Sequence, residues 1–276
     1  MAGQPEITNM ALFCDFENIA LGVREAKYAQ FDIKKVLERL LLKGSIVVKK
    51  AYCDWDRYKE FKATMHEAAF ELIEIPHVRQ SGKNSADIRM VVDALDLCYT
   101  KSHVDTFVII SGDSDFSPLV SKLRENNKYV IGIGVKDSTS DLLSANCDEF
   151  IFYDDLVREQ EAQKKRAEKK SPAKVPAGGT KKKSISKTED DRRGEALDFI
   201  VETIEALIAE RGEEKIWYSM VKPTMQRRRP GFTETAYGYR TFKELVEDAQ
   251  KHNLLMLVRD EKAGGQYTIR LPATEE

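Results

Sequence analysis

The stretch IISGDSDFSPL, residues 109–119, runs an apolar segment into a glycine and then into two acids, Asp113 and Asp115. A second apolar run, ALFCDFENIA at residues 11–20, also stops at an acid, Asp15. Short apolar runs that end at glycine or at polar residues are typical of buried β-strands. The sequence therefore predicts two strands that each carry carboxylates at the carboxyl end.

Short apolar strands alternate with amphipathic helical segments throughout the first part of the chain. The strands are predicted at residues 11–16, 45–53, 70–76, 105–111, 128–135 and 149–154. The helices between them are predicted near residues 32–43, 57–69, 85–100, 115–126 and 139–145. This alternation indicates an α/β fold, Rossmann-like, with a mostly parallel sheet whose strands share one carboxyl edge. Ligands of open α/β sheets bind at that edge.

Five polar residues fall at this edge of the predicted sheet: Asp15, Asn18, Asp87, Asp113 and Asp115. If the strand order reverses beside the first strand, the first and fourth strands are neighbours and Asp15 faces Asp113. Carboxylates held so close repel one another unless a cation lies between them or one is protonated. Helix capping is the alternative for each acid taken alone. The convergence of three separate segments favours a site for Mg²⁺ or Mn²⁺ with the four aspartates as ligands.

Other chemistries fit the sequence less well. No GxxxxGK[ST] motif is present, and no GxGxxG opens a helix. The four histidines lack a close metal-binding pair, and a nucleophile at Ser111 or Ser114 has no base except the acids. Lys83, in the loop before Asp87, is a candidate phosphate contact, with ordinary loop solvation as the alternative.

The composition limits the class of protein. A length of 276 residues suggests two domains, and 42% apolar with 33% charged residues is typical of a folded soluble protein. The amino terminus resembles no signal peptide and no segment has membrane-spanning length, so we expect a cytoplasmic protein without a membrane partner. The cysteines are then expected to be reduced and buried: Cys14, Cys53, Cys98 and Cys147.

The charge is divided unevenly along the chain, although the formal net charge is only -2. Residues 157–194 are rich in Lys and poor in apolar residues, which predicts a basic flexible linker; for its first part, through Lys170, a solvated extension of a helix is the alternative. The linker either attracts phosphates or serves as a solubilising spacer. Residues 195–272 form a separate pattern of three helices followed by a β-hairpin, the parts of a small winged helix. The domains are therefore predicted at residues 8–156 and 195–272.

The segments FCDFENI, NSADIRMVVDAL and SGDSDFSPLVSKLRE resemble the NYN family of PIN-like ribonucleases, and the LabA-like (DUF88) branch in particular. The resemblance covers about residues 8–156. It implies a PIN fold and metal-dependent cleavage of RNA, with Asp15, Asn18, Asp87, Asp113 and Asp115 as the catalytic positions. Because PIN-like nucleases often dimerise, it also allows a homodimer.

The segment PGFTETAYGYRTFKELVEDAQ and the hairpin after it resemble the OST-HTH or LOTUS domain, a small winged helix associated with RNA binding. Cations and rings in this part are candidates for contact with the RNA backbone and bases: Arg227, Arg228, Arg229, Tyr239 and Arg240. For the aromatic residues, a place in the core is the alternative.

These inferences lead to the hypothesis of a metal-dependent endoribonuclease with a carboxyl-terminal domain that binds single-stranded or structured RNA. The alternative is a non-catalytic RNA-binding regulatory protein whose acidic site is vestigial. A DNA-binding regulator fits less well, because the predicted recognition helix YRTFKELVEDAQKH has as many acids as Lys and Arg together.

Overall fold

The computed structural model describes residues 8–75, 85–170, 189–212, 215–261 and 265–272, with only the backbone at residues 162–170 and 189–190. The chain divides into two compact units, one with the elements up to Lys170 and one with the elements from Glu189 onward. Within the described ranges, no helix combines the length and the apolar character needed to cross a membrane.

The first unit contains the predicted parallel sheet. Its strands are β1 Thr8–Asp15, β2 Gly44–Cys53, β3 Glu71–Glu74, β4 Thr106–Ile110, β5 Tyr129–Gly134 and β6 Glu149–Phe152. They are ordered β3-β2-β1-β4-β5-β6, and every pairing is parallel. The order reverses at β1, which lies between β2 and β4, and Cys14 of β1 is in register with Ile110 of β4. The predicted adjacency of the first and fourth strands is confirmed.

Helices cover the sheet. They are α1 Phe16–Glu25, α2 Ile33–Lys43, α3 Lys59–Glu67, α4 Ser85–Thr100, α5 Ser117–Glu125, α6 Asp141–Asn146 and α7 Tyr153–Lys170. Five of them correspond to predicted helices, but α1 was not predicted. Its signal is present in the sequence, because Asp15 is an N-cap and Phe16, Ile19 and Val23 recur on one buried face. Helix α7 continues into the segment predicted as a linker.

The alternating side chains of β1 face two cores. Met10, Leu12 and Cys14 belong to the apolar cluster on one side of the sheet, and Ala11 and Phe13 belong to the cluster on the other side. All five are completely buried. Because β1 is buried on both faces, its carboxyl end is fixed at the centre of the sheet, where polar residues follow.

An acid on α4 ties this helix to the sheet. The carboxylate of Asp93 accepts hydrogen bonds from Tyr52 Oη at 2.9 Å, from Lys50 Nζ at 3.3 Å and from Arg89 Nε at 3.0 Å. Burial alone would raise the pKa of Asp93, but these donors outweigh burial, and the pKa lies below its ordinary value. Asp93 is therefore a partly buried anchor that ties α4 to β2.

The second unit contains helices α8 Glu189–Arg211, α9 Tyr218–Arg228 and α10 Phe242–Lys251, and strands β7 Ile216–Trp217, β8 Met256–Asp260 and β9 Gln266–Arg270. The strands form an antiparallel sheet in the order β7-β9-β8. The three helices and the hairpin were predicted. The segment IWYSMVKPTMQRR, from residue 216, reads in the sequence as the second of the three helices. Its first two residues form β7 instead, because Ile216 and Trp217 pair with Ile269 and Thr268 of β9.

Candidate metal centre

Asp15 ends β1 and begins α1. Its Oδ1 accepts a hydrogen bond from the backbone N–H of Asn18 at 3.3 Å, and its Oδ2 accepts one from Ser111 Oγ at 3.1 Å. The residue is only 8% exposed. Helix capping, which the sequence allowed for this acid, is therefore confirmed, and it fixes the orientation of a buried carboxylate at the edge of the sheet.

Ser111 connects the ends of β1 and β4. Besides donating to Asp15, its hydroxyl oxygen accepts a hydrogen bond from the backbone N–H of Asp113 at 3.2 Å, and the residue is fully buried. From the sequence, Ser111 was considered only as a nucleophile, and that role was disfavoured, so its positioning role was missed. The available signal was a hydroxyl residue at the end of a strand, immediately before Gly112 and Asp113.

The second acidic pair lies on a tight turn after β4. Asp113 caps a 3-10 turn, Ser114–Phe116, and its Oδ1 accepts a hydrogen bond from the backbone N–H of Asp115 at 3.0 Å. Asp113 is half-buried, whereas Asp115 is exposed. The turn therefore presents both carboxylates at the carboxyl end of β4, beside Asp15.

Asn18 lies in the first turn of α1 and reaches across to the β4 end. Its Oδ1 accepts a hydrogen bond from the backbone N–H of Gly112 at 2.9 Å. Glycine is required at position 112, because a Cβ there would lie 2.4 Å from the carbonyl oxygen of Ser138. Asn18 Nδ2 has no acceptor among the described residues. This amide can therefore donate to a water molecule or to a phosphate oxygen.

The carboxylates of the three segments interact electrostatically. Burial, followed by the charge of Asp87, raises the pKa of Asp15 to about 7 from an ordinary value of 3.8; Asp113 adds a smaller repulsion. Burial, followed by the charges of Asp113 and Asp115, raises the pKa of Asp87 to about 6. Asp87, in the first turn of α4, is therefore close enough to the acids at the carboxyl ends of β1 and β4 to interact with them electrostatically. The structure brings together all five residues that the sequence placed at this edge.

Glu17 faces the same edge but has a cationic partner. Its Oε1 lies 3.1 Å from Arg57 Nη1, in an ion pair that both residues expose to solvent. The negative charge of Glu17 still contributes to the raised pKa of Asp87, after burial and the two aspartates of the β4 turn. Glu17 thus belongs to the border of the acidic site rather than to its buried centre.

The donor set has the chemistry that hard divalent cations prefer. Asp15, Asp87, Asp113 and Asp115 offer carboxylate oxygens, which suit Mg²⁺ or Mn²⁺. Their mutual repulsion, seen in the raised pKa values of Asp15 and Asp87, favours a bound cation. No three His, Cys, Asp or Glu side chains of the described segments are arranged closely enough to form a ready-made metal cluster. The residues fit a divalent ion by type and by charge.

The candidate RNA-binding residues of the second unit differ in exposure. Arg228 is largely buried, with Nη2 2.6 Å from Glu202 Oε1 and Nη1 2.9 Å from Thr203 Oγ1. Arg227 is half-buried and donates to Thr224 Oγ1 at 2.9 Å. The Arg228 guanidinium therefore ties α9 to α8, whereas this contact of Arg227 lies within α9.

The remaining candidate RNA-binding residues also include both buried and exposed side chains. Tyr239 is only 2% exposed, and its hydroxyl donates to Asp248 Oδ2 at 2.7 Å, so its ring is core and is not presented for stacking on a base. Arg229 and Arg240 are exposed. The Arg229 guanidinium lies 3.9 Å from the centroid of the Phe199 ring. Lys83, the candidate phosphate contact of the first unit, lies outside the described residues.

A comparison with protein families matches residues 9–154 to the NYN domain. The chain belongs to the NYN domain family. This is a family of predicted ribonucleases, whose members generally use a divalent metal, and RNA is its expected class of substrate. The match ends near the start of α7, and no family is assigned to the second unit.

Two curated proteins are similar to this NYN protein. An uncharacterized protein of Methanocaldococcus jannaschii is 27% identical over 164 residues, which is 59% of this chain and 64% of the archaeal one. Meiosis regulator and mRNA stability factor 1 of Xenopus tropicalis is 25% identical over 154 residues, which is 56% of this chain and 9% of the frog protein. The chain therefore covers less than two thirds of either relative.

A solved structure also matches the chain. The crystal structure of a protein of unknown function from Vibrio parahaemolyticus is 27% identical and has a TM-score of 0.49. The match covers 56% of this chain and 98% of the Vibrio protein.

Proposed function

We propose that this NYN protein is a metal-dependent endoribonuclease that hydrolyses phosphodiester bonds in RNA. The observation that carries the proposal is the carboxylate site at the switch point of the sheet, where Asp15 and Asp87 have pKa values raised by burial and by neighbouring acids. A strongly perturbed cluster of this kind at the carboxyl edge of an α/β sheet is typical of a functional site. Membership of a family of predicted nucleases supports the same reading.

In this proposal Mg²⁺ or Mn²⁺ is held by Asp15, Asp87, Asp113 and Asp115. When bound, the divalent ion lowers the pKa of a coordinated water and offsets the negative charge of the phosphodiester. Ser111 and the backbone of Asn18 hold the two oxygens of Asp15 in one orientation. The amide Nδ2 of Asn18 donates to the attacking water or to a phosphate oxygen.

The second unit is proposed to hold the RNA. Arg229 and Arg240 are exposed cations, and they carry this role in place of the half-buried Arg227, the largely buried Arg228 and the buried Tyr239. The resemblance to the OST-HTH or LOTUS domain and the basic composition of residues 157–194 support the proposal. The name of the frog relative refers to mRNA stability, which is consistent with an RNA substrate.

A non-catalytic RNA-binding regulator is the second candidate, and one observation favours it. The acids of the described residues do not form a ready-made metal cluster, as they would in a site already shaped for a metal ion. In this alternative the acidic site has lost its catalytic use, and the protein binds RNA without cutting it.

Cleavage of a labelled single-stranded RNA with Mn²⁺, Mg²⁺ or EDTA tests the proposal. The wild-type protein, Asp113→Asn and Asp96→Asn are compared, because Asp96 is an exposed carboxylate on α4 away from the β4 turn. We expect metal-dependent cutting by the wild type and by Asp96→Asn, and at least a hundredfold loss in Asp113→Asn, about 2.7 kcal/mol of transition-state stabilisation. RNA binding without cutting by the wild type would select the regulator instead.

A further inference from the structure

A cavity of about 160 Å³ lies beside α1 in the first unit. It opens between the second half of α1, the segment that connects α1 to α2, and the first turn of α3. Aromatic and small apolar side chains form most of its wall: Ala20, Leu21, Tyr28, Phe31, Tyr58 and Phe61. The volume is below the range of about 300–1,000 Å³ that drug-sized ligands occupy, so it suits a single flat ring rather than a larger molecule.

The aromatic wall of this α1 cavity is held in place by the core. The ring of Phe16 packs edge-on against Phe31, Tyr58 and Phe61, with centroid separations of 5.9, 5.7 and 5.0 Å. The hydroxyl of Tyr28 donates to a carboxylate oxygen of Asp154 at 3.0 Å. Because these rings are fixed before any ligand enters, a flat ligand pays little ordering entropy to stack on them.

Polar side chains at the rim give the α1 cavity the chemistry of nucleotide recognition. Arg24, Gln30 and Glu60 line it, and all three are exposed, so the rim carries one cation, one amide and one carboxylate. The Gln30 amide offers a donor and an acceptor to the edge of a base, and the Arg24 guanidinium offers a cation to a phosphate. Aromatic faces together with an amide and a cation are the groups with which proteins hold unstacked bases of single-stranded RNA.

The α1 cavity lies close to the candidate metal centre along one helix. Asp15 caps the start of α1, and Ala20 and Arg24 follow five and nine residues later. At a rise of about 1.5 Å per residue this places the cavity roughly 7–14 Å along the helix from the carboxylate. The ion pair of Glu17 with Arg57 lies on the same path, next to Tyr58. An RNA strand at the acidic site therefore reaches the cavity within a few nucleotides.

From this arrangement we infer that the α1 cavity binds one unstacked nucleobase of the RNA at a fixed distance from the bond that is cut. The inference rests on the proposed function for its choice of ligand. The cavity then sets which nucleotide is positioned over the carboxylates, because a base stacked there fixes the register of the strand.

The test uses single-stranded RNA that carries one 2-aminopurine, whose fluorescence falls when it stacks on an aromatic ring, at successive positions. Binding is measured in EDTA, so the result does not depend on metal or on cleavage. Ala29→Leu fills the cavity from an exposed lining residue, and Ala63→Leu, an exposed position on α3 outside the lining, is the matched control. Tyr58→Leu removes one ring of the wall, and its melting temperature is checked to confirm that it folds.

We expect strong quenching at one position of the strand with the wild type and with Ala63→Leu. With Ala29→Leu and Tyr58→Leu we expect the quenching to disappear and the affinity to fall at least about fivefold, in line with ~1 kcal/mol of stacking per base. Equal quenching in Ala29→Leu and Ala63→Leu, or no quenching at any position with the wild type, would overturn the inference.

A second readout separates this inference from the proposed nuclease. Single abasic nucleotides are placed along a cleavable RNA, and the KM for cutting is measured at each position. A raised KM at one position, absent in Ala29→Leu, supports the cavity as a base site. Quenching without any cutting would leave the base site standing and reject the nuclease. If the RNA is cut equally well with an abasic nucleotide at every position, and no quenching is seen, the nuclease stands and the base site is rejected.

Discussion

Ser111 Oγ lies 3.1 Å from Asp15 Oδ2 and donates a hydrogen bond to it, joining the carboxyl ends of two neighbouring parallel strands. The same hydroxyl accepts from the backbone N–H of Asp113. One buried side chain therefore sets the distance between the two acidic segments of the candidate metal centre.

Replacing Ser111 with Ala should move the pH dependence of cleavage. The hydrogen bond from Ser111 lowers the pKa of Asp15 against the larger effect of burial, so its loss raises that pKa above about 7. The rising limb of the pH–rate profile should shift to higher pH, with a loss of stability of about 1–3 kcal/mol from the unpaired buried groups. Ser114→Ala, beside it on the turn, is the control, and an unchanged profile in Ser111→Ala would contradict the assigned role.

Replacing Asp87 with Asn should stabilise the protein in EDTA. The pKa of Asp87 is raised from 3.8 to about 6 in the folded protein. The ionised carboxylate therefore destabilises the folded state, whereas the protonated carboxyl does not. The contribution of Asp87 is neutral well below pH 4, becomes increasingly destabilising as the pH rises from about 4 to about 6, and stays at about 1–3 kcal/mol at neutral pH. Urea unfolding of Asp87→Asn and of Asp96→Asn at pH 4 and pH 7.5 measures this. A gain in stability at pH 7.5 only for Asp87→Asn is expected.

Adding Mn²⁺ should raise the melting temperature of the wild type. A cation that binds only the folded state at 100 times its Kd stabilises it by about 2.7 kcal/mol, and here it also relieves the repulsion among the aspartates. Differential scanning fluorimetry with and without Mn²⁺ measures the shift. The shift should be lost in Asp113→Asn and kept in Asp96→Asn; equal shifts in both variants would place the ion elsewhere.

The arginines of the second unit should separate into binding and packing residues. Arg229→Ala and Arg240→Ala should each weaken RNA binding and lower the slope of log affinity against log salt by about 1, because the proposed function assigns each exposed cation to a phosphate. Arg228→Ala should instead lower the free energy of unfolding by about 1–3 kcal/mol, through loss of its contacts with Glu202 and Thr203. Filter binding at several salt concentrations and urea unfolding distinguish the two. A salt slope changed by Arg228→Ala alone would reverse the assignment.

Replacing Tyr52 with Phe should destabilise the first unit in a pH-dependent way. The Tyr52 hydroxyl donates to the Asp93 carboxylate and helps to hold its pKa below the ordinary value. This stabilisation is present above about pH 4 and is lost as the pH falls through the lowered pKa. We expect a loss of about 1–3 kcal/mol in urea unfolding at pH 7 and a smaller loss at pH 3. Tyr129→Phe, at a half-exposed ring, is the control and should show neither effect.

The sequence alone determined the α/β sheet and the edge at which its polar residues gather. The spacing of apolar residues marks which segments are strands and which are helices, because the apolar face of each must be buried in any compact fold. Asp15 and Asp113 come at or just after the ends of two of those strands. The adjacency of β1 and β4 followed from assuming a doubly wound sheet whose strand order reverses beside the first strand. Helix α1 and strand β7 were missed, the first despite its N-cap and apolar spacing, and the second because a two-residue strand has no period of its own.

Only the tertiary structure decided which side chains are available for chemistry. Arg228 and Arg229 are neighbours of the same type, yet one pairs with Glu202 and the other is exposed, because burial depends on which face of α9 meets α8. Tyr239 is core because the fold buries its ring and pairs its hydroxyl with Asp248 of α10. The bond from Ser111 to Asp15 joins residues 96 positions apart. No local pattern encodes such a contact, because it exists only once β1 and β4 lie side by side and exclude water from the space between their ends.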